Sequence, residues 1–446
     1  MLKKIEACGI GPAPCFDLEL QKRLNVITGD NGLGKSLLLD LAWWACSGDW
    51  PERPVVPQDA VLQLSGRRDE PKNTPAPRIS TVISSGSAAY SFGYSFDKKR
   101  SRWEMDDKKA SVAAGLVLYA RIDGGFSIWD PARPWYPSSS RNAAFGKAGN
   151  SYHFTRSDLW NGKTEQALYG QQGCTLCEGL LHDWLEWEKR EPALFETFIR
   201  VLEHLSPPGE EIRPADVPVR LPGAGVSSIP ALHTDYGVLP LIHASAAVRQ
   251  IITWAYCLVW AWREHRLQCE MTGAIPETQI ILMIDEVEAH LHPKWQRLIV
   301  PALLTVADHL DGGADVQFLV TTHSPLVLAS LEQEFDQQSD ALFHLALQAG
   351  VVTLDALPWQ SYGDVSGWLT SPVFALGEAR SWKAEQVIEE VEAFMIRHSP
   401  EGGEESERKR LDGALRTVLP PSDPVWARWQ FFKQRAMKTG SSQRGA

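Results

Sequence analysis

The pattern of apolar and polar positions near the N-terminus predicts a strand, a loop and a helix in that order. KRLNVIT (22–28) is an apolar strand pattern that runs into a glycine-rich loop. SLLLDLAWWACSG (36–48) then has the apolar spacing of a helix, with a glycine at its end. Residues 80–130 predict short strands joined by turns, with a hairpin turn at Asp123, Gly124 and Gly125.

The second half of the chain predicts a parallel sheet covered by helices. Residues 245–265 predict one long buried helix. QIILMID (279–285) and VQFLVTTH (316–323) are nearly uninterrupted apolar runs, which is typical of central strands buried on both faces, and a helix is expected between them at about 293–310. The predicted fold class is therefore α/β, with a mixed sheet flanked by helices and an antiparallel β subdomain.

Proline-rich and polar stretches divide these elements. The segments 49–80 and 131–163 have loop composition, a helical patch interrupted by Pro192 follows at about 175–205, and an amphipathic helix is expected near 383–397. We expect four regions: an N-terminal lobe (1–130), a helical and loop insertion (131–230), a C-terminal lobe (231–375) and a helical extension (376–446).

Composition narrows the class of protein. The formal net charge of −11 disfavours a protein that coats nucleic acid or anionic membrane indiscriminately. The longest apolar run, 251–262, is too short to span a bilayer, and the N-terminus lacks an apolar core of signal-peptide length. Seven scattered cysteines predict reduced thiols rather than a disulfide frame. We expect a cytoplasmic protein with no membrane partner.

The loop after the first strand has the pattern of a phosphate-binding loop. GDNGLGKS (29–36) fits G-x-x-x-x-G-K-[ST] without a mismatch, and both the flanking strand and the flanking helix are predicted. The backbone amides would surround the phosphates of ATP, Lys35 would supply a positive charge and the Ser36 hydroxyl could bind Mg²⁺. The residues expected to bind nucleotide here are Gly29, Asp30, Asn31, Gly32, Leu33, Gly34, Lys35, Ser36 and Leu37.

Two further strand ends supply the remaining chemistry. Asp285 ends the ILMID run and is predicted to hold Mg²⁺, while Glu286 is predicted to polarise the attacking water. Two carboxylates at the end of so apolar a strand indicate a site, because burial without a role would be costly. His323 ends the next apolar strand, where it could contact the γ-phosphate.

At these residues the chain resembles ABC-type ATPases of the SMC, RecF and overcoming-lysogenization-defect kind. The resemblance lies in GDNGLGKSLLLD, IDEVEAHLHPKWQ and TTHSPLVL, and covers about 1–60 and 230–375. It implies an ATPase head in which a second copy of the chain closes over ATP and Mg²⁺. The stretches WLTSPVFALGEARS and GLLHDWLEWEK also look like those of stand-alone ATPases in bacterial antiphage cassettes, such as Septu-type and retron-associated systems.

The resemblance also assigns a signature loop that contacts the partner's nucleotide. Ser245 in HASAAVRQ matches the signature serine, and Arg249 could stabilise charge across the dimer interface or form an ordinary ion pair on the helix surface. The chain departs from the family pattern because Ala246 and Ala247 replace the usual glycines. Gln58 and Gln63 are both candidates for the glutamine-loop residue.

A pair of histidines and a pair of cysteines have spacings that are compatible with metal binding. His290 and His292 lack a nearby fourth ligand in sequence, and the resemblance explains them as part of a dimer-contact loop. Cys174 and Cys177 could share zinc across a dimer, but they fit better as two unconnected cysteines on a helix. Neither pair is therefore the preferred metal site.

The function implied by the resemblance is a switch driven by ATP. Residues 330–446 contain no D-x-D, so we expect no nuclease in this chain and a separate effector protein, such as a nuclease or toxin. The alternative is a RecF-like or SMC-like ATPase that binds DNA directly, supported by the basic segment 98–103 together with Lys108 and Lys109. A transporter motor is disfavoured by the long insertion.

Overall fold

The computed structural model describes residues 1–58, 76–86, 88–106, 114–134, 149–165, 174–222, 228–310, 312–377, 380–397 and 405–442. The chain forms two compact units, Met1–Gly363 and Asp364–Ala446. Residues 364–375, which the sequence groups with the C-terminal lobe, cluster with the second unit. No helix in the described ranges is long and apolar enough to cross a membrane.

An eight-stranded mixed sheet forms the centre of the first unit. Its five central strands are joined by four parallel pairings, and the pairings at both edges are antiparallel. In spatial order the strands are β18 (Val351–Leu357), β17 (Asp340–Gln348), β3 (Leu24–Gly29), β16 (Asp315–Thr321), β15 (Gln279–Ile284), β7 (Leu116–Ala120), β8 (Phe126–Trp129) and β9 (Ser151–Phe154).

A second, five-stranded sheet is wholly antiparallel. Its strands in spatial order are β2 (Cys15–Glu19), β1 (Leu2–Cys8), β4 (Arg78–Ser85), β5 (Ala88–Asp97) and β6 (Arg102–Met105). Buried positions alternate along β4, as expected for a sheet with one face on the core. The mixed sheet with flanking helices and this antiparallel subdomain confirm the predicted α/β fold class.

Helix α1 (Lys35–Ser47) packs in the core between the two sheets. Its Leu38 and Trp43 are in one buried cluster with Ile79 of the antiparallel sheet and Ile281 of the mixed sheet. Such a cluster is the main source of stability for a domain of this kind, because apolar burial contributes about 25 cal/mol per Å². The start of α1 is thereby fixed against both sheets.

The insertion contributes short strands and helices. Two small antiparallel sheets form, from β10 (Lys163–Glu165) with β11 (Cys174–Cys177), and from β12 (Arg213–Pro214), β13 (Ala231–Thr234) and β14 (Gly237–Pro240). The helices here are α2 (Arg156–Asn161), α3 (Leu180–Arg190) and α4 (Pro192–His204), and the long α5 (Ala246–Thr272) follows. Among the described residues the first unit also contains α6 (Pro293–Gln296), α7 (Ile299–Thr305) and α8 (Pro325–Ser330).

The second unit is helical. It contains α9 (Val365–Leu369), α10 (Trp382–Arg397), α11 (Glu405–Val418) and α12 (Val425–Ser442). Its own core includes Ile388, Phe394, Leu415 and Trp429. The rings of Phe394 and Trp429 lie 6.1 Å apart in an edge-on arrangement, which adds to the energy of burial.

Two sequence expectations about cysteine are wrong. Cys8 and Cys15 form a disulfide, because the antiparallel pairing of β1 with β2 places them directly opposite each other. Cys174 and Cys177 lie on strand β11 rather than on a helix, because this segment pairs with β10 and the helix begins only at Leu180. The remaining five cysteines are free thiols.

Candidate functional site

The predicted phosphate-binding loop lies between β3 and α1. Gly29 has φ 136° and pairs with Leu345 of β17, where an added Cβ would lie 2.2 Å from the Leu345 carbonyl oxygen. Gly34 precedes the helix at φ 105°, a value that strains residues with side chains. Asp30, Asn31, Gly32 and Ser36 are exposed, so the loop faces solvent.

The first turn of α1 is left without a side-chain cap. No described side chain caps it, and it contains no acidic residue. An uncapped helix start has amides without partners and a positive dipole end, which together favour a bound phosphate group. This arrangement fits the nucleotide predicted from the sequence. Leu37, which the sequence predicts to bind nucleotide, has a half-buried side chain that lies against the β1–β2 hairpin at Gly11.

Lys35 is buried and folded over the loop. Its Nζ donates hydrogen bonds to the carbonyl oxygens of Gly29 and Asp30, both at 2.9 Å. Burial lowers the pKa of Lys35, and the nearby carboxylates, with Glu286 first and Asp285 next, oppose that shift. The lysine therefore lies within electrostatic range of the acidic strand end, although 250 residues separate them along the chain (285 − 35 = 250).

The acidic pair follows β15, beside β16 in the sheet. Asp285 is buried, and its Oδ1 accepts a hydrogen bond from the Thr321 hydroxyl at 2.6 Å. The amide of Glu286 donates to the same Thr321 oxygen at 2.7 Å. Glu286 is held at φ 48°, which an L-residue adopts only at a cost of about 1–3 kcal/mol. Strain of this kind is common at functional sites.

His323 meets Glu286 at the edge of the sheet. The His323 Nε2 lies 3.4 Å from the Glu286 Oε1, and both side chains are partly exposed. β3, β16 and β15 are parallel neighbours, so their carboxyl ends lie at one edge. The structure therefore brings together the phosphate loop, the acidic pair and the histidine, as expected for the crevice at the carboxyl ends of an open α/β sheet.

Two residues at this edge had no assigned role in the sequence. Asp40 lies one helical turn after Ser36, and its Oδ1 accepts a hydrogen bond from the Tyr119 hydroxyl at 3.2 Å. Burial raises the pKa of Asp40 to about 6, and the charge of Asp285 adds to the rise. The four-residue spacing from Ser36 is the sequence signal that could have found Asp40.

Glu288 is the second such residue. Its carboxylate accepts hydrogen bonds from the Thr322 hydroxyl, at 2.8 Å, and from the backbone amide of His323. Burial raises the pKa of Glu288, and these hydrogen bonds oppose the rise. The sequence signal is its place between the acidic pair and the two histidines, but its partners depend on the register of β15 against β16.

The predicted signature residues lie at the start of α5. The exposed Ser245 caps the helix, and its hydroxyl accepts from the Val248 amide at 3.3 Å. The Arg249 Nε is buried and has no hydrogen-bond partner among the described residues. No hydrogen bond or ion pair joins either residue to 29–37 in the described part of this single chain. Ser245 instead lines an open groove of about 710 Å³ together with His292 and Trp295.

Other candidates have structural partners. The side-chain amide of Gln58 donates a hydrogen bond to the carbonyl oxygen of Gly11, in the β1–β2 hairpin. His292 caps α6 by accepting from the Lys294 amide at 3.3 Å. Gln63, Lys108 and Lys109 lie outside the described residues.

The basic segment 98–103 forms a hairpin turn and the start of β6. Arg100 and Arg102 both donate to Glu104 Oε1, at 2.9 and 2.7 Å respectively. Asp97 lies 3.8 Å from Arg100. The two arginines are thus partly neutralised by acids in the same hairpin, as in a solvated sheet edge.

A known protein family matches the part of the chain that carries the acidic pair. Residues 267–329 match the family described as "AAA domain, putative AbiEii toxin, Type IV TA system". The chain is 44% identical to the "Retron Vc95 probable ATPase" of Vibrio cholerae over 54 residues, which is 12% of this chain and 9% of that protein. It resembles a retron ATPase. The predicted resemblance to ATPases of antiphage systems is confirmed.

The Septu protein PtuA of Bacillus mycoides is 30% identical over 135 residues, or 30% of this chain and 18% of that protein. The matched segments thus span less than a fifth of each relative. The SMC head domain from Thermotoga maritima superimposes at a TM-score of 0.40 and 14% identity, covering 80% of this chain and 99% of that domain. That score is too low to add to the fold described above.

Proposed function

We propose that this chain binds ATP with Mg²⁺ and hydrolyses it as a homodimer. The observation that carries this proposal is the meeting of Lys35, Asp285, Glu286 and His323 at one edge of the mixed sheet. The similarity to a protein named a probable ATPase supports the same reaction. A P-loop with no residue placed to orient or deprotonate water would bind nucleotide but would lack a group to activate the attacking water.

Each residue has a distinct part in this proposal. Residues 29–36 bind the phosphates, with Lys35 turning from the loop carbonyls to the β- and γ-phosphates. Ser36 and Asp285 hold Mg²⁺, which would neutralise phosphate charge. Glu286 accepts a proton from the attacking water, and His323 orients Glu286 and contacts the γ-phosphate.

A second copy of the chain completes the site. In the described residues no hydrogen bond or ion pair joins Ser245 or Arg249 to the phosphate loop of their own chain. Ser245 is exposed, and the first residues of α5 are half-buried. In the dimer we propose, they contact the γ-phosphate bound by the partner subunit. Because the nucleotide then contributes binding energy only to the closed state, ATP shifts the population towards closure and hydrolysis reverses it.

The cycle serves as a switch for a separate effector, such as a nuclease or toxin of a bacterial antiphage system. The matches to retron and Septu proteins support this finer proposal. The proposed regions are the lobes 1–130 and 231–375, the insertion 131–230 and the extension 376–446. The insertion and the extension are the regions available to carry the signal.

The test measures ATP turnover and the molar mass of the protein in solution. Purified protein should release ADP from ATP in the presence of Mg²⁺ and not with excess EDTA. Light scattering should give a dimer with ATP and a monomer with ADP. Absence of Mg²⁺-dependent turnover in the purified chain and in its native complex would exclude the hydrolysis proposed here.

The rival function, direct DNA binding, makes a separate prediction. If the chain binds DNA, its affinity must fall steeply as salt rises, with a slope set by the number of phosphates contacted. Because Arg100 and Arg102 are paired with Glu104, we expect their binding to DNA to be weak. A fluorescence titration with duplex DNA at two salt concentrations distinguishes the two functions.

A further inference from the structure

Glu288 joins the two loops that carry the proposed catalytic residues. It belongs to the loop after β15, which begins with Asp285 and Glu286. Its Oε2 accepts a hydrogen bond from the Thr322 hydroxyl at 2.8 Å, and its Oε1 accepts from the His323 amide. Both partners belong to the loop after β16, so one carboxylate links the two strand ends.

Hydrogen bonds to a carboxylate are strong in this setting. Thr322 is fully buried, and burial also raises the pKa of Glu288. A buried donor that loses its acceptor carries the whole cost of leaving water, so these contacts resist rearrangement. The backbone at His323 is therefore held where Glu288 places it.

Other hydrogen bonds near these two loops act on different atoms. Thr321 donates to Asp285, and the Ser324 hydroxyl donates to Gln296 at 2.7 Å. Of the side-chain contacts described here, the one from Glu288 holds the backbone of His323 itself. The imidazole of His323 then lies 3.4 Å from the Glu286 carboxylate. A shift of the His323 backbone would change this separation directly.

We propose that Glu288 is a positioning residue, which sets the distance between His323 and Glu286 and thereby the rate of hydrolysis. This inference rests on the proposed function above. Glu288 contacts neither water nor nucleotide in this role. Its effect passes through His323, and displacement of a catalytic group by about 1 Å can lower a rate by up to about 10²-fold.

Glu288→Gln is the main test. Glutamine keeps the shape but has one acceptor oxygen in place of two and no negative charge. Its turnover should fall by about 10-fold or more, whereas the Kd for ATP should change by less than about threefold, because the phosphate loop is untouched. Thr322→Val removes one of the two hydrogen bonds and should give a smaller loss of turnover.

Glu332→Gln is the matched control. Glu332 is a half-buried carboxylate that also accepts two backbone amides, from Tyr362 at 2.7 Å and Gly363 at 2.8 Å. It holds a loop that contains none of the proposed catalytic residues. Its substitution should leave turnover unchanged, even if it lowers the melting temperature.

A second readout does not need hydrolysis. In protein labelled with ¹⁵N-histidine, the His323 amide can be assigned from the His323→Gln spectrum. Its proton resonance should move upfield in Glu288→Gln, because a charged acceptor is lost, and should not move in Glu332→Gln. This measurement also decides the matter if Glu288→Gln is too unstable for kinetics at 37 °C, since the spectrum can be recorded at a lower temperature.

The outcomes separate the two proposals. If wild-type protein shows no turnover, the proposed function is contradicted. The His323 amide resonance then tests by itself whether Glu288 holds the His323 backbone. Wild-type turnover with Glu288→Gln equally active would overturn the positioning role. So would an equal loss in Glu332→Gln, because that result would reflect general destabilisation.

Discussion

Helices α1 and α5 begin in opposite ways. α1 follows Gly34, and no described side chain caps it. α5 follows Ser245, whose hydroxyl accepts a hydrogen bond from the Val248 amide at 3.3 Å. A serine cap contributes about 1 kcal/mol, which α1 forgoes.

The difference indicates which helix start binds an anion within a single chain. At α1 the first amides are left for an external acceptor, and a buried lysine lies beside them. At α5 one amide is already satisfied by Ser245, so an incoming phosphate must compete with the cap. We infer that α1 binds nucleotide first, and that α5 contributes only when a second copy brings it to the bound phosphate.

The largest expected effect is at α1. Lys35→Ala removes the buried charge of the loop and should weaken ATP binding on the order of 10³-fold, since truncating one partner of a buried charged contact costs several kcal/mol. Isothermal titration with ATP measures this. Lys163→Ala is the control, because that lysine also donates to a backbone carbonyl, of His153, at 2.8 Å. Equal affinity in Lys35→Ala and the control would remove the phosphate loop from the site.

The next effect tests whether both helix starts meet one nucleotide. Glu286→Gln should retain ATP binding while turnover falls by about 10²-fold or more, because the group that accepts the proton is lost. ATP-bound dimers should then accumulate, and light scattering detects them. Normal turnover would remove Glu286 from the mechanism, and turnover loss with no dimer would break the link to α5.

A third prediction concerns pH and the second turn of α1. Burial raises the pKa of Asp40 from 3.8 to about 6. A raised pKa in the folded state stabilises the protein fully below pH ~4, and this contribution is lost as the pH rises through about 6. Relative to Asp40→Asn, wild-type protein should therefore lose up to about 3 kcal/mol of unfolding free energy between pH ~4 and ~7.5.

Urea unfolding at the two pH values measures this difference. Asp216→Asn is the control, because the side chain of Asp216 is 93% exposed. If the unfolding free energies of wild type and Asp40→Asn change equally between the two pH values, the pKa of Asp40 is not raised in the folded protein.

The smallest effect tests α5 alone. Ser245→Ala should destabilise the chain by about 1 kcal/mol through loss of the cap, and should also weaken ATP-driven dimerisation about 10-fold. ATP binding by the monomer should not change. Asp364→Ala is matched, because Asp364 caps α9 by accepting from the Gly367 amide at 2.8 Å. If both variants dimerise equally, Ser245 acts only as a cap.

The sequence predicted what depends on local pattern. The apolar runs at β3, β15 and β16 identified the strands, and the motif at 29–36 identified the loop. Asp285, Glu286 and His323 were found because each ends such a run. Their convergence followed from the rule that parallel strands present their carboxyl ends together.

The sequence alone could not predict contacts that depend on strand register. The partners of Glu288 depend on how β15 lies against β16, and Tyr119 reaches Asp40 from a strand distant in sequence. The disulfide between Cys8 and Cys15 depends on a hairpin register that spacing alone does not fix. The helix expected at about 293–310 instead breaks into α6, α7 and a short 3₁₀ segment at 306–309.

The left-handed backbone at Glu286 sets a limit on what the acidic motif can do by itself. A free peptide with the sequence IDEVEAHLH should relax out of that conformation, because it lacks the contact that the neighbouring strand provides to Glu286 in the folded chain. Thr321 supplies the restraint from another strand. The reactive geometry is thus a property of the assembled sheet. Grafting the motif alone onto a foreign scaffold would transfer its sequence but not its backbone conformation.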